Sequence, residues 1–158
     1  MRKFMIVFMS VLLICCTTFC IPANAVINGE DVPDITVEEL ENGYYIETVI
    51  TGESVDPDSS AQSSSTITKT KTNYYKNSSG DVMWSVSIKA TFTYDGSTSK
   101  CKSCSHSTTS PGTNWSIKSS SSSKSGNSAT AKAVATYKNT TDYSMSVTIK
   151  CSADGTVS

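Results

Sequence analysis

The chain has 158 residues, 37% of them apolar, with 13 Lys and Arg set against 14 Asp and Glu for a formal charge of −1 at pH 7. That length suits one small domain, and the near-neutral total hides an uneven distribution of charge. Arg2 is the only arginine, and because a bidentate grip on phosphate leans on arginine, the composition argues against a dedicated nucleic-acid binder.

Residues 1–25 read as a secretory signal peptide. Arg2 and Lys3 precede an apolar run from Phe4 to Phe19, and Ala23-Asn24-Ala25 is a small-x-small cleavage site. Cleavage there starts the exported protein at Val26. The apolar run approaches the ~20 residues that span a bilayer, but the cleavage site and the acidic flank after it favour removal, with no stable membrane insertion afterwards. Cys15, Cys16 and Cys20 follow Ile14, Cys15 and Phe19, none of them the small residue a lipid anchor needs. The last stretch, "CSADGTVS", carries no sorting signal or hydrophobic anchor. The expected location is secreted and extracellular.

Residues 26–58 form an acidic leader that holds ten of the 14 acids and no lysine. Thr36 and Glu39 make a capping-box pattern for a short helix ending at Asn42-Gly43. Tyr44 to Thr51 then has the aromatic and β-branched content of a strand. Residues 59–65 are Ser-rich and read as a flexible linker. With Arg2 and Lys3 set aside, eleven lysines remain against Asp81, Asp95, Asp142 and Asp154, so residues 66–158 are basic. The asymmetry is read as a leader lying on this basic domain, as a basic domain open to anionic partners, or as serving solubility alone.

From Thr66 the hydrophobic period is two. "VMWSVSIKATFTY" puts Trp84, Val86, Ile88, Ala90, Phe92 and Tyr94 on one face, and Asp95-Gly96 is a hairpin-type turn. "SATAKAVATYK" and "YSMSVTIKC" repeat the alternation, the second ending at Cys151. Thr66 to Tyr75 and Trp115 to Ser121 are further strands. The sum is an all-β fold, a small immunoglobulin-like β-sandwich of six to seven antiparallel strands.

Three cysteines follow the signal peptide: Cys101, Cys104 and Cys151. In regular extended chain, Cys101 points to the core while Cys104 and His106 point outward with Lys100 and Lys102. Cys151 shares the core face with Tyr143, Met145, Val147 and Ile149. Cys101 and Cys151 are therefore the expected disulfide. Its ~50-residue loop would stabilise the fold by about 4 kcal/mol in the chain-entropy model. Cys104 is left as a free or intermolecular thiol, available to link a homodimer.

Other chemistry is thinner. Zinc on Cys101, Cys104, His106 and Cys151 would need ligands that alternate between faces to converge. Haem attachment is broken by Ser105, and a thioredoxin-type site lacks its following helix. A Cys104–His106 pair has no third, orienting group. The four aspartates of the basic domain sit beside turns, where aspartate usually serves the turn, and Asp56 to Asp58 lacks the spaced oxygens of a calcium loop. No cofactor, metal or catalytic residue is assigned. Tyr74, Tyr75 and Trp115 are the candidate binding surface, an aromatic platform suited to sugars.

The stretches "YKNSSGDVMWSVSIKATFTYDGS", "NWSIKSSSSSKSGNSATAKAVATY" and "VTIKCSADGTVS" resemble small secreted β-sandwich proteins of Gram-positive bacteria to which no activity is attached. The resemblance implies the same core cysteine pair and supplies no ligand. The expectation is a secreted, non-enzymatic binding or surface-interaction module whose partner is a cell-surface glycan or protein. A bacteriocin-like toxin is the alternative, and a cysteine-dependent enzyme a more distant one.

Overall fold

A computed structural model describes residues 33–53 and 64–158. The signal peptide with its cleavage site, most of the Ser-rich linker and the Asp56 to Asp58 cluster lie outside the described residues. Eight strands follow in chain order: β1 (Asp34–Glu39), β2 (Tyr45–Glu53), β3 (Ser65–Lys76), β4 (Val82–Tyr94), β5 (Ser99–Thr109), β6 (Trp115–Ser125), β7 (Ser128–Tyr137) and β8 (Thr141–Lys150). All pairing is antiparallel, in a five-stranded sheet β1-β2-β3-β4-β5 and a three-stranded sheet β6-β7-β8. Among the described residues no helix is long and apolar enough to cross a membrane.

Turn chemistry fixes the hairpins. At the β3–β4 turn the Asn77 side-chain oxygen accepts from the amides of Ser79 and Asp81 at 3.0 and 2.9 Å. At the β4–β5 turn the Asp95 carboxylate accepts from the amides of Ser97 and Thr98 at 2.9 and 2.7 Å. These bonds hold its pKa below the ordinary carboxylate value. Between β7 and β8 the loop has three residues, since Tyr137 pairs with Thr141; Lys138 and Asn139 both take positive φ, 52° and 55°, and Thr140 N donates to Tyr137 O at 3.0 Å to close the turn.

The alternating faces of the two sheets meet in one buried cluster. β4 supplies Trp84, Val86, Ile88, Ala90 and Phe92; β7 supplies Ala129, Ala131, Ala133 and Ala135; β8 supplies Met145, Val147 and Ile149. Small residues on β7 oppose bulky ones on β4, so the layers fill without overpacking. Asn73 ties the sheets together: its side-chain NH2 donates to Ser146 O at 3.1 Å, while Thr48 Oγ1 donates to its oxygen at 2.9 Å.

Two expectations are corrected. The strand count is not one of them: β3 to β8 give the domain from residue 66 onward six strands, within the expected six to seven, and the leader adds β1 and β2 for eight among the described residues. Thr36 does not cap a helix; it lies mid-strand opposite Thr48, and the only helical piece in the described residues is a 3-10 turn, Glu41–Gly43. Ladder bonds to β2 and the β-branched Ile35, Thr36 and Val37 outweigh the local capping pattern. Finally, each sheet runs in consecutive strand order, without the Greek-key return that marks immunoglobulin domains.

The described part of the acidic leader, residues 33–53, is thus laid into the sheet, with β2 paired to β3 from Tyr45↔Lys76 to Glu53↔Thr68. Lys76 Nζ meets Glu47 Oε1 at 2.6 Å in a half-buried ion pair, so the opposed charges of leader and domain meet across this ladder. Ile46 packs on the core cluster. A chain beginning at Ser64 is expected to lose at least about 2 kcal/mol of unfolding free energy, since burying one such isoleucine alone contributes roughly 1.5–3 kcal/mol. Urea denaturation of the two lengths measures it.

Candidate functional site

The two sheets differ in width, and the difference makes a cleft. β8 packs over β3 and β4, and β7 over β4 and β5, whereas β1 and β2 find their main neighbours within their own sheet. At this step the edge of β8 meets the start of β2. The cleft has a volume of about 390 Å³, within the ~300–1,000 Å³ typical of small-ligand sites.

Its walls are set by register. Ile46, Tyr75 and Trp84 are cross-strand partners and share the inward face. Tyr143 is opposite the buried Ala135 on the facing sheet. Tyr44 sits just before β2, where Leu40 N donates to Tyr44 O at 2.8 Å across the 3-10 turn. That turn holds Glu41 at the rim, and Ser144 and Met145 complete the β8 side.

Tyr75 is the hub. Its ring stacks on Tyr44 at 5.1 Å with 20° between planes, and lies 6.2 Å from Trp84, 5.4 Å from Trp115 and 5.9 Å from Tyr143. Trp115 in turn lies 4.9 Å from Tyr143 and 5.3 Å from Tyr137. Tilted and offset rings at these separations are the favoured geometries. Burial, then the neighbouring Tyr143 and Tyr44 phenols, push the Tyr75 hydroxyl above its ordinary pKa, so it stays neutral. Trp84 is 1% exposed, and its Nε1–H has no hydrogen-bond partner.

The expected aromatic platform is split by this geometry. Tyr75 faces the cleft and Trp115 is packed behind it, 9% exposed. Tyr74 points the other way, opposite Glu47 and Ser85, with the Lys76 ammonium 5.7 Å from its ring. Tyr44, Trp84 and Tyr143 replace Tyr74 and Trp115 as the residues that line the cleft with Tyr75.

The cysteine-rich strand also departs from expectation. Thr91 pairs with Ser103 but Phe92 pairs with Cys101, leaving Lys102 as the extra residue of a β-bulge. A bulge shifts the alternation by one, so Cys104, opposite Ala90, faces inward like Cys101. It is half-buried against the core cluster, and the exposed thiol assumed for a Cys104-linked homodimer is not found. His106 does share the Cys104 face, yet its ring nitrogens bond Ser122 Oγ at 2.9 Å and Ser120 Oγ at 3.2 Å on β6. The histidine ties the sheet edges together at this corner.

All three described cysteines carry free thiols. Cys101 and Cys151 are buried in the same cluster, their amides donating to the adjacent carbonyls of Gly126 and Asn127 at 2.9 and 3.1 Å. Burial raises both thiol pKa values, with smaller contributions from Cys104 at Cys101 and from Asp154 at Cys151. Neither is a thiolate at neutral pH, so neither is an activated nucleophile. Among the described residues no group of three His, Cys, Asp or Glu side chains is placed to hold a metal ion.

The chain matches no protein-family model, no curated protein and no solved structure.

A thiol whose pKa is raised by folding adds stability that is intact below its unfolded value, here 9.0, and is lost as pH rises through the folded value. Reduced protein is therefore expected to lose stability steadily above about pH 9, and the Cys101→Ala, Cys151→Ala double variant to lose less over the same range. Denaturant midpoints measured from pH 7 to pH 11 check this.

Proposed function

We propose that this chain is a secreted, non-enzymatic binding module of β-sandwich architecture that engages its partner outside the cell through the aromatic cleft. The observation that carries the reading is the cleft itself: a half-open, aromatic-lined hollow with a few polar groups, the form that ligand sites take. The two sheets' common core supports the sandwich description. Export is supported by the n-region, apolar run and Ala23-Asn24-Ala25 of the sequence.

The groups with most chemical potential are engaged elsewhere. Asp95 serves a turn, Asp154 accepts from Thr156 N at 2.9 Å within the C-terminal turn, and Asp142 meets Lys118 Nζ at 2.6 Å. A binding role asks nothing of them.

A disulfide between Cys101 and Cys151 belongs to the same proposal. Shared burial supports it, as do the amide bonds of both residues to one turn and the Ser99 Oγ bond to Cys151 O at 2.6 Å. An oxidising compartment favours such a bond.

Expression in a secreting Gram-positive host tests export and oxidation together. The protein recovered from the medium is expected to begin at Val26 and to yield the Cys101 and Cys151 peptides joined; an intact Met1 form confined to membranes contradicts it. Purified protein incubated with bacterial cells and with immobilised glycans is expected to be retained. Retention should fall at least tenfold in the Tyr44→Ala variant, and unchanged retention argues against the cleft.

A further inference from the structure

We propose that the cleft receives a quaternary ammonium group, an assignment that rests on the binding-module reading and names its ligand class. Tyr44, Tyr75 and Tyr143 line the cleft, and all three are only half-buried, so aromatic surface remains open. Tyr44 lies within 20° of parallel to Tyr75, whereas Tyr143 is inclined to Tyr75 by 48°. The rings therefore form two walls set at an angle rather than one flat platform. A cation held between such rings is attracted by their quadrupoles.

The charge around these rings has one sign. Glu41 lines the cleft from the 3-10 turn, and no lysine or arginine does. Glu38 on β1 is the cross-strand partner of the cleft residue Ile46 and so shares its face of the sheet. Both glutamates are exposed, and both come from the leader, the part of the chain that has no lysine.

Other ligand classes match this lining less well. An anion would meet the repulsion of Glu38 and Glu41. A hydrocarbon would strip water from the phenols and from Glu41 without replacing their hydrogen bonds, which is costly. A neutral sugar would stack on the rings but would draw nothing from the two carboxylate charges. A primary ammonium or a guanidinium brings several N–H donors, and the aliphatic side chains of Leu40, Ile46 and Met145 offer these no acceptor. A trimethylammonium group spreads its charge over methyls and has no N–H to satisfy. Its methyls pack on the rings and the aliphatic side chains, while the glutamates balance its charge through space.

The test is titration of the purified protein with choline, with the alcohol in which a carbon replaces its nitrogen, and with ethanolamine. The alcohol keeps the shape of choline without the charge, and ethanolamine keeps a charge without the methyls. Calorimetry and the shifts of tyrosine ring protons report binding. Choline is expected to bind at least about tenfold more tightly than either analogue. Tyr44→Ala is expected to weaken choline by at least about tenfold, whereas Tyr44→Phe, which keeps the ring, stays within about twofold. The Glu38→Gln, Glu41→Gln double variant, altered only at exposed positions, is expected to weaken choline several-fold. Co-sedimentation with phosphatidylcholine vesicles identifies a lipid headgroup as the source, and choline binding without it identifies a soluble or polymer-borne group; either result supports the assignment.

Equal affinity for choline and the uncharged alcohol overturns the assignment while leaving a binding module, as does ethanolamine matching choline. Choline affinity unchanged in both Tyr44→Ala and the double glutamine variant places the cation elsewhere and also overturns it. Failure of choline to bind, in protein that is still retained by cells through Tyr44, overturns the ammonium assignment alone. Failure of choline to bind with no retention overturns the binding reading as well.

Discussion

The packing of Tyr75 is the contact on which the rest of this structure depends. It lies on β3 and touches Tyr44 from the leader, Trp84 from β4, Trp115 from β6 and Tyr143 from β8. Such ring pairs contribute roughly 0.5–1.5 kcal/mol each beyond their area. The facing strand β7 offers mostly alanine to the core, and alanine buries little apolar surface. The aromatic cluster therefore supplies bulk that the alanines of β7 do not, where small side chains alone would leave a void.

The same contact explains why the acidic leader is part of the fold. β1 is exposed along its whole length, with Ile35 and Val37 54% and 55% exposed, and has no core of its own. β2 is held by its ladder to β3, by the Glu47–Lys76 ion pair and by Ile46 against the core. Tyr44 reaches Tyr75 because the start of β2 is in register with the end of β3. The leader thereby builds one wall of the cleft, so that the region of the chain richest in acid also shapes the proposed binding site.

Much of this was legible in the sequence, for identifiable reasons. The period-two faces of β4, β7 and β8 name the buried core almost residue by residue, because one face of each strand is fully covered and the alternation is uninterrupted. The leader was harder to read. Thr36 and Glu39 fit a local helix rule, while the strand they join is defined by pairing with β2, which no local pattern records. Cys104 was misplaced because a single bulge residue, Lys102, reverses the parity beyond it, and bulges leave little trace when the neighbours are serine and lysine. Of the three aromatic residues of the expected platform, only Tyr75 lines the cleft. Trp84 and Tyr143 were read as core, and Tyr44 as an ordinary strand residue, because the cleft arises from unequal sheet widths rather than from any one segment.

That Tyr44 closes on Tyr75 to join leader, core and cleft is most directly tested by the nuclear Overhauser spectrum of the folded protein. Cross-peaks between the ring protons of Tyr44 and Tyr75, together with extended-chain amide shifts from Tyr45 to Gly52, are the predicted result. Ring protons of Tyr44 at random-coil positions with no contact to Tyr75, in a chain whose β4, β7 and β8 signals are native, would contradict the account.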